Sequence, residues 1–143
     1  MHATWNFRLT EICIEAGANV NIFNNYQESS LHIASQDNHV DVAELLLEHG
    51  ADIDAANRDG WTSLHWACYH LYPAMVDLLL RHNLDIDIVS YDGRGTALQF
   101  AMFYPATSPN REVVLQLMAT CAKTRVEASF ADWIRLARNE RCK

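Results

Sequence analysis

Short apolar segments alternate with turn residues along the chain, and this pattern predicts pairs of helices. The clearest pair begins with a compact segment of small and apolar residues at 63–70, which Thr62 is placed to cap. A second segment at 73–80 carries a broad apolar stripe, and Pro73 lies in its first turn, where a proline is tolerated. An Asp-Gly turn precedes the pair, and Asn83 follows it, where we expect a left-handed helix end.

The same pattern returns after 33 residues. The clearest correspondences join 31–34 to 64–67 and 45–49 to 78–82. One unit of this size is too small to bury its own apolar stripe, whereas stacked units bury it between them. The sequence therefore predicts a solenoid built from repeated helix pairs.

The phase of the repeat divides this single domain of 143 residues into unequal units. We assign a partial repeat to 6–26, repeats to 27–59 and 60–92, a divergent repeat to 93–122 and a C-terminal helix to 129–142. A capping-box pattern and apolar residues at helical spacing predict that last helix. The partial unit has only a second helix, so it is either a natural half-cap or part of a longer array, and we favour the longer array.

These units resemble the ankyrin repeat family. The closest match, at 57–87, has Asp-Gly-x-Thr-x-Leu-His-x-Ala followed by Leu-Leu-Leu, and the unit at 27–57 is nearly as similar. The resemblance covers 6–122 and implies an all-α solenoid of stacked helix-turn-helix repeats, joined by β-hairpin-like turns and closed by a C-terminal capping helix. Two departures are Ser63, where the family has proline, and Gln99, where it has histidine.

Charge and cysteine spacing exclude several classes of protein. The net charge is −7, with 11 basic and 18 acidic residues, which argues against nucleic-acid binding because that requires a basic face. No apolar run is long enough to span a membrane and no signal core is present, so we expect a cytoplasmic or nuclear protein without membrane contact. The four cysteines lack the short spacing of a structural zinc site, and we expect free thiols.

Histidines and a cysteine raise the question of catalysis or metal binding. His32 and His65 occupy one repeat position, and the ankyrin resemblance implies that each hydrogen-bonds a neighbouring turn. Equivalent positions lie roughly 10 Å apart in packed helices, too far to share a metal at about 2 Å per bond. Cys68 lies near His65 and His70 in sequence, but we interpret it as a small core residue. We therefore predict no catalytic, cofactor-binding or metal-binding residues and no enzymatic activity.

The resemblance implies that partners contact the hairpin tips and the exposed face of the first helix in each unit. Carried over position by position, the predicted partner-binding residues are Tyr26, Arg58, Asp59, Trp61, Tyr69, His70, Tyr91, Arg94, Phe103 and Tyr104. Aromatic residues and arginine dominate binding hot spots, so we expect the aromatic members to gather, exposed, on the concave side. The alternative is that Phe103 and Tyr69 lie under neighbouring helices. We expect Trp66 in the core.

We interpret the chain as a protein-interaction module that binds a peptide or protein across its concave face. Residues 1–122 hold 5 basic and 15 acidic residues and 123–143 hold 6 and 3, which favours a partner of basic or mixed charge. The main alternative is a docking or regulatory ankyrin segment of a larger enzyme, such as a kinase or acyltransferase. A weaker one is an inhibitor similar to the ankyrin inhibitors of transcription factors. The oligomeric state stays open.

Overall fold

The computed structural model describes residues 2–103 and 108–122, and this part of the chain is built from helices joined by turns. The helices are α1 (His2–Glu15), α2 (Ser30–Gln36), α3 (Val40–Glu48), α4 (Ser63–Tyr69), α5 (Pro73–Leu80), α6 (Ala97–Met102) and α7 (109–122). Isolated antiparallel bridges, Phe23 with Ser29 and Val89 with Thr96, close two of the hairpin-like turns. The all-α class is confirmed. The helix predicted at 129–142 lies outside the described residues.

The helices form two rows, as stacked helix pairs require. In the inner row α2 packs on α4 and α4 packs on α6, while in the outer row α1 packs on α3 and α3 packs on α5. Within each unit, α2 packs on α3 and α4 packs on α5. The helix α1 thus occupies an outer-row place beside α3.

One continuous apolar core runs between the two rows. Small residues at corresponding places on the inner helices, Ala34, Ala67 and Ala101, are fully or almost fully buried and let the helices approach closely. Val114 and Met118 bring α7 into the same core. Each interface between units therefore buries residues from both neighbours, which is the main source of stability in a solenoid.

The three inner helices begin with the same capping arrangement. The backbone N–H of Thr62 donates to Nδ1 of His65 at 3.1 Å, and the Thr62 hydroxyl lies 2.9 Å from the same nitrogen. In the third unit the N–H of Thr96 donates to Oε1 of Gln99 at 2.8 Å. The predicted cap at Thr62 is confirmed, and Gln99 takes the place of the histidine as the acceptor. The helix α4 ends at Tyr69, one residue earlier than expected.

The prediction for Asn83 is wrong, because this residue does not adopt positive φ. Its counterpart one unit earlier, Gly50, has φ 84°. After α5, Arg81 stays right-handed at φ −71°, and the N–H of His82 donates to the carbonyl of Leu79 at 3.1 Å. This tight last turn ends the helix without a left-handed residue.

Candidate partner-binding surface

Two of the hairpin turns are each shaped by one asparagine side chain that accepts backbone hydrogen bonds. Asn57 Oδ1 accepts the N–H groups of Asp59 at 3.0 Å and Trp61 at 2.9 Å. One unit earlier, Asn24 Oδ1 accepts the N–H groups of Tyr26 and Glu28 at 2.9 and 3.0 Å. These side chains replace the sheet partners that a short hairpin lacks, so the tips are ordered locally.

Main-chain hydrogen bonds join the tips of successive hairpins. The N–H of Arg58 donates to the carbonyl of Tyr26 at 3.1 Å, and the N–H of Tyr91 donates to the carbonyl of Asp59 at 2.8 Å. The guanidinium of Arg58 also donates to the carbonyl of Asn25 at 2.6 Å. Four of the predicted residues thus lie along one row of tips, where Tyr26 and Tyr91 are 67% and 76% exposed.

The expectation that Trp61 is exposed is wrong, since this residue is only 7% exposed. Its indole Nε1–H donates to Asp92 Oδ2 at 3.1 Å, and its ring centroid lies 4.6 Å from that of Phe100. The cause is the next hairpin, which supplies Asp92 as a partner and places the Arg94 guanidinium 5.9 Å above the indole ring. Trp61 therefore packs between two units.

The buried indole belongs to an aromatic cluster that we define as Trp61, Trp66, Tyr69, His70 and Phe100. Neighbouring ring centroids in it lie 4.6 to 6.3 Å apart, mostly in tilted or edge-to-face arrangements. Trp66, which we expected in the core, is half-buried and packs against the edge of the apolar core. The His70 ring stacks on it at a centroid distance of 5.9 Å. Such packed rings stabilise one another and hold their faces in fixed directions.

Beside this cluster lies a pocket of about 300 Å³, lined by Tyr69, Arg94, Phe100 and Phe103. Phe103 is 74% exposed, so the alternative that it lies under a neighbouring helix is wrong, whereas Tyr69 is half-buried. The structure thus brings together three predicted residues. Phe100, which sequence reasoning missed, is the fourth. Its only signal was an apolar position on the predicted inner helix. Tyr104 lies outside the described residues.

Asp92 holds Arg94, which lines the pocket, and the Trp61 indole next to it. Its carboxylate accepts the Ser90 hydroxyl at 2.6 Å and the N–H of Arg94 at 3.1 Å, and it pairs with the Arg94 Nε at 3.4 Å. Desolvation acts to raise the pKa of Asp92, but these hydrogen bonds and the Trp61 indole hold it below its usual value. The carboxylate therefore stays ionised and fixes both Trp61 and Arg94.

His32 and His65 hold equivalent places in neighbouring units, as predicted. Nε2 of His32 lies 3.0 Å from the carbonyl of Trp61, and Nε2 of His65 lies 3.3 Å from that of Gly95. Because Nδ1 accepts a backbone N–H in each ring, Nε2 carries the proton and donates. Burial lowers the pKa of both histidines from 6.5 and outweighs the carbonyl contacts that raise it. Both are neutral links between units.

The remaining candidates for chemistry are poorly suited to it. Burial raises the pKa of the Cys68 thiol to about 12, so the thiolate that a nucleophile requires is not formed. Within 2–103 and 108–122, no three His, Cys, Asp or Glu side chains lie close enough together to hold a metal ion. No helix in those two ranges combines the length and apolar character needed to cross a bilayer.

Comparison with known proteins agrees with this architecture. No curated protein matches the chain. A family model described as ankyrin repeats, in three copies, matches residues 1–92. Ankyrin repeats are in general non-catalytic modules of protein interaction. Since the match covers more than half of the 143 residues and the described helices stack as such repeats do, this chain belongs to the ankyrin repeat family.

Proposed function

We propose that this chain binds a peptide or a folded protein across the surface formed by its hairpin tips and the helices α4 and α6. The observation that carries the proposal is the pocket lined by Tyr69, Arg94, Phe100 and Phe103. An aromatic ring that is 74% exposed at the edge of an apolar pocket loses water-exposed area when a partner covers it. The binding requires no reaction.

The row of tips supports a larger contact area than the pocket alone. Tyr26 and Tyr91 present large rings to solvent on backbone that hydrogen bonds already hold in place. Ordered backbone lowers the entropy lost on association, and tyrosine gives a large contact area for few rotatable bonds. Arg58 and Asp59 add exposed charges beside these rings.

Affinity capture from cell extract, read out by mass spectrometry, tests the proposal. The binding variant is Phe103→Ala/Tyr91→Ala, in which both replaced side chains are exposed and the fold should be kept. Val113→Ala on α7, also exposed, is the matched control. We expect proteins that wild type and control retain and the double variant loses. Equal capture by all three would contradict the proposed surface.

A docking or regulatory segment of a larger enzyme is the second candidate, and one observation favours it. Leu9 and Ile12 on α1 are 63% and 55% exposed, an apolar stripe that another protein segment could cover. Sequencing the transcript upstream of the codon for Met1 tests it. A reading frame that continues into a kinase or acyltransferase domain would support this candidate, and an in-frame stop codon there would count against an upstream catalytic domain.

A further inference from the structure

We propose that the pocket between α4, α6 and the third hairpin binds the aromatic side chain of a peptide segment that carries a carboxylate within two residues of that side chain. This proposal rests on the proposed function and adds the chemistry of the partner. It depends on three features of the pocket, namely its aromatic walls, its fixed shape and the positive charge that Arg94 brings to the described part of its lining.

The walls suit an aromatic ring. Phe100 is 2% exposed and closes the pocket from the core side, while Tyr69 is half-buried and Phe103 remains mostly exposed. A volume of about 300 Å³ stands at the low end of the range for ligand sites, enough for one ring and too small for an extended ligand. Rings that enter between other rings gain tilted and edge-to-face contacts in addition to area burial.

The shape of the pocket is held from behind by Trp61. Its ring lies edge-to-face with Phe100 at 87° and tilted at 57° to Tyr69, so two of the walls rest on one buried indole. The same indole bonds Asp92, which also pairs with Arg94. Walls that are fixed before binding cost less order when a partner arrives.

The charge of the lining decides which aromatic segment fits. The Arg94 side chain is 56% exposed, and its contact with Asp92 is made through Nε. A guanidinium has five N–H donors in all, so others can reach a ligand. A carboxylate next to the inserted ring pairs with this guanidinium. A lysine or arginine side chain would meet a like charge there, even though aromatic walls alone attract cations.

Residues 1–122 as a whole carry a net charge of −10, which by itself favours a basic partner. Screening limits that effect, because exposed charges more than about 8 Å apart interact weakly at physiological salt. The nearest carboxylate, Asp92, pairs with Arg94 Nε at 3.4 Å but is not among the residues that line the pocket. The remaining N–H donors of the guanidinium can therefore meet a ligand carboxylate at contact distance, where they outweigh the more distant acidic residues. The proposal therefore fixes only the motif at the pocket, an aromatic residue with a nearby carboxylate, and the rest of the partner can be basic.

Selection from a random-peptide phage library on the immobilised full chain tests the motif, with dissociation constants of synthetic peptides measured by fluorescence anisotropy. We expect enriched peptides with Phe, Tyr or Trp and an Asp or Glu within two positions. Phe103→Ala should weaken their binding about ten-fold. Arg94→Gln should weaken it a few-fold, and Arg94→Glu should select peptides with Lys or Arg beside the ring. Arg81→Glu, an equal charge change at an exposed arginine that directly follows α5 and also pairs with an aspartate, should do neither.

Each result separates the pocket from the surface as a whole. Enriched peptides that lose affinity in Tyr91→Ala but not in Phe103→Ala or Arg94→Gln would overturn the pocket and leave the proposed function standing. Aromatic peptides flanked by basic residues on the wild-type chain would overturn the role of Arg94. No enrichment would also overturn the pocket motif, and only a failed affinity capture would overturn the proposed function as well.

Discussion

Replacing the buried Trp61 with alanine should uncouple the second and third units. The indole is 7% exposed and contacts the rings of Trp66 and Tyr69 in its own unit and of Phe100 in the next unit. It also donates a hydrogen bond to Asp92, in the hairpin that leads into the next unit. Alanine removes all of these contacts at once and leaves a cavity that the neighbouring rings fill only in part. The effect should therefore fall on stability before it falls on binding.

The size of the effect follows from the burial. A fully packed aromatic side chain replaced by alanine costs about 3–5 kcal/mol. A domain of ordinary stability has about 5–15 kcal/mol in total, so a large share of the folding free energy disappears. In a solenoid the loss acts first at one interface, and we expect the part beyond 93 to unfold at lower denaturant concentration than the rest.

Urea denaturation followed by circular dichroism at 222 nm measures this, since the helices report unfolding directly. Trp61→Ala should lower the free energy of unfolding by about 3–5 kcal/mol and broaden or split the transition. Trp61→Phe, which keeps a ring but loses the donor to Asp92, should cost about 1–2 kcal/mol. Phe103→Ala is the surface control and should change stability by less than about 0.5 kcal/mol.

The reasoning fails if Trp61→Ala costs less than about 1 kcal/mol, because a side chain with these contacts must then have been exposed or loosely packed. It also fails if Phe103→Ala lowers the free energy of unfolding as much as Trp61→Ala does, because Phe103 is 74% exposed and Trp61 only 7%.

Three further predictions concern pH, turns and thiols. Because burial lowers the pKa of the folded-state histidines, the unfolded chain binds more protons than the folded chain below pH 6.5. The free energy of unfolding should therefore be full above pH 6.5 and fall as the pH drops. His65→Gln, which copies the cap of the third unit, should reduce this dependence of stability on pH in urea titrations from pH 7.5 to 5. Gly60→Ala should destabilise by about 2 kcal/mol more than Gly93→Ala, because both have similar positive φ but only the Gly60 position has a tyrosine 2.7 Å from the added Cβ. Exposed Cys13 should react with a thiol reagent in the folded chain, and buried Cys68 only after denaturation.

Opposite results would identify the error in each case. A pH slope unchanged in His65→Gln would mean that other groups cause the acid loss. Equal melting temperatures for the two alanine variants would mean that the tyrosine moves aside at no cost. Rapid labelling of Cys68 by the thiol reagent under native conditions, detected by mass spectrometry, would show that the inner helix α4 opens readily.

The sequence predicted the parts of the fold that depend on local pattern. The 33-residue period, the cap at Thr62 and the proline at the start of α5 follow from the residues that form them, and each is confirmed. The equivalence of His32 and His65 followed for the same reason, because a repeat places like residues in like surroundings.

The surface was harder to predict because its side chains depend on the neighbouring unit. Trp61 follows a hairpin tip, and it is buried by Phe100 of the next unit and by Asp92 in the hairpin that leads into that unit. Phe100 was missed since an apolar residue on an inner helix gives no sign of a pocket beside it. The prediction for Asn83 was wrong because α5 ends in a tight turn, in which the N–H of His82 donates to the carbonyl of Leu79.

The bonds that join successive hairpins use main-chain atoms, from the Arg58 N–H to the Tyr26 carbonyl and from the Tyr91 N–H to the Asp59 carbonyl. Every residue except proline supplies such atoms, so these bonds between tips do not depend on which side chains Tyr26, Arg58, Asp59 and Tyr91 carry. Substitutions at these four tip positions can therefore change which partner is bound while the hydrogen bonds between neighbouring hairpins are kept, provided that Asn24, Asn57 and Gly60 still form the turns.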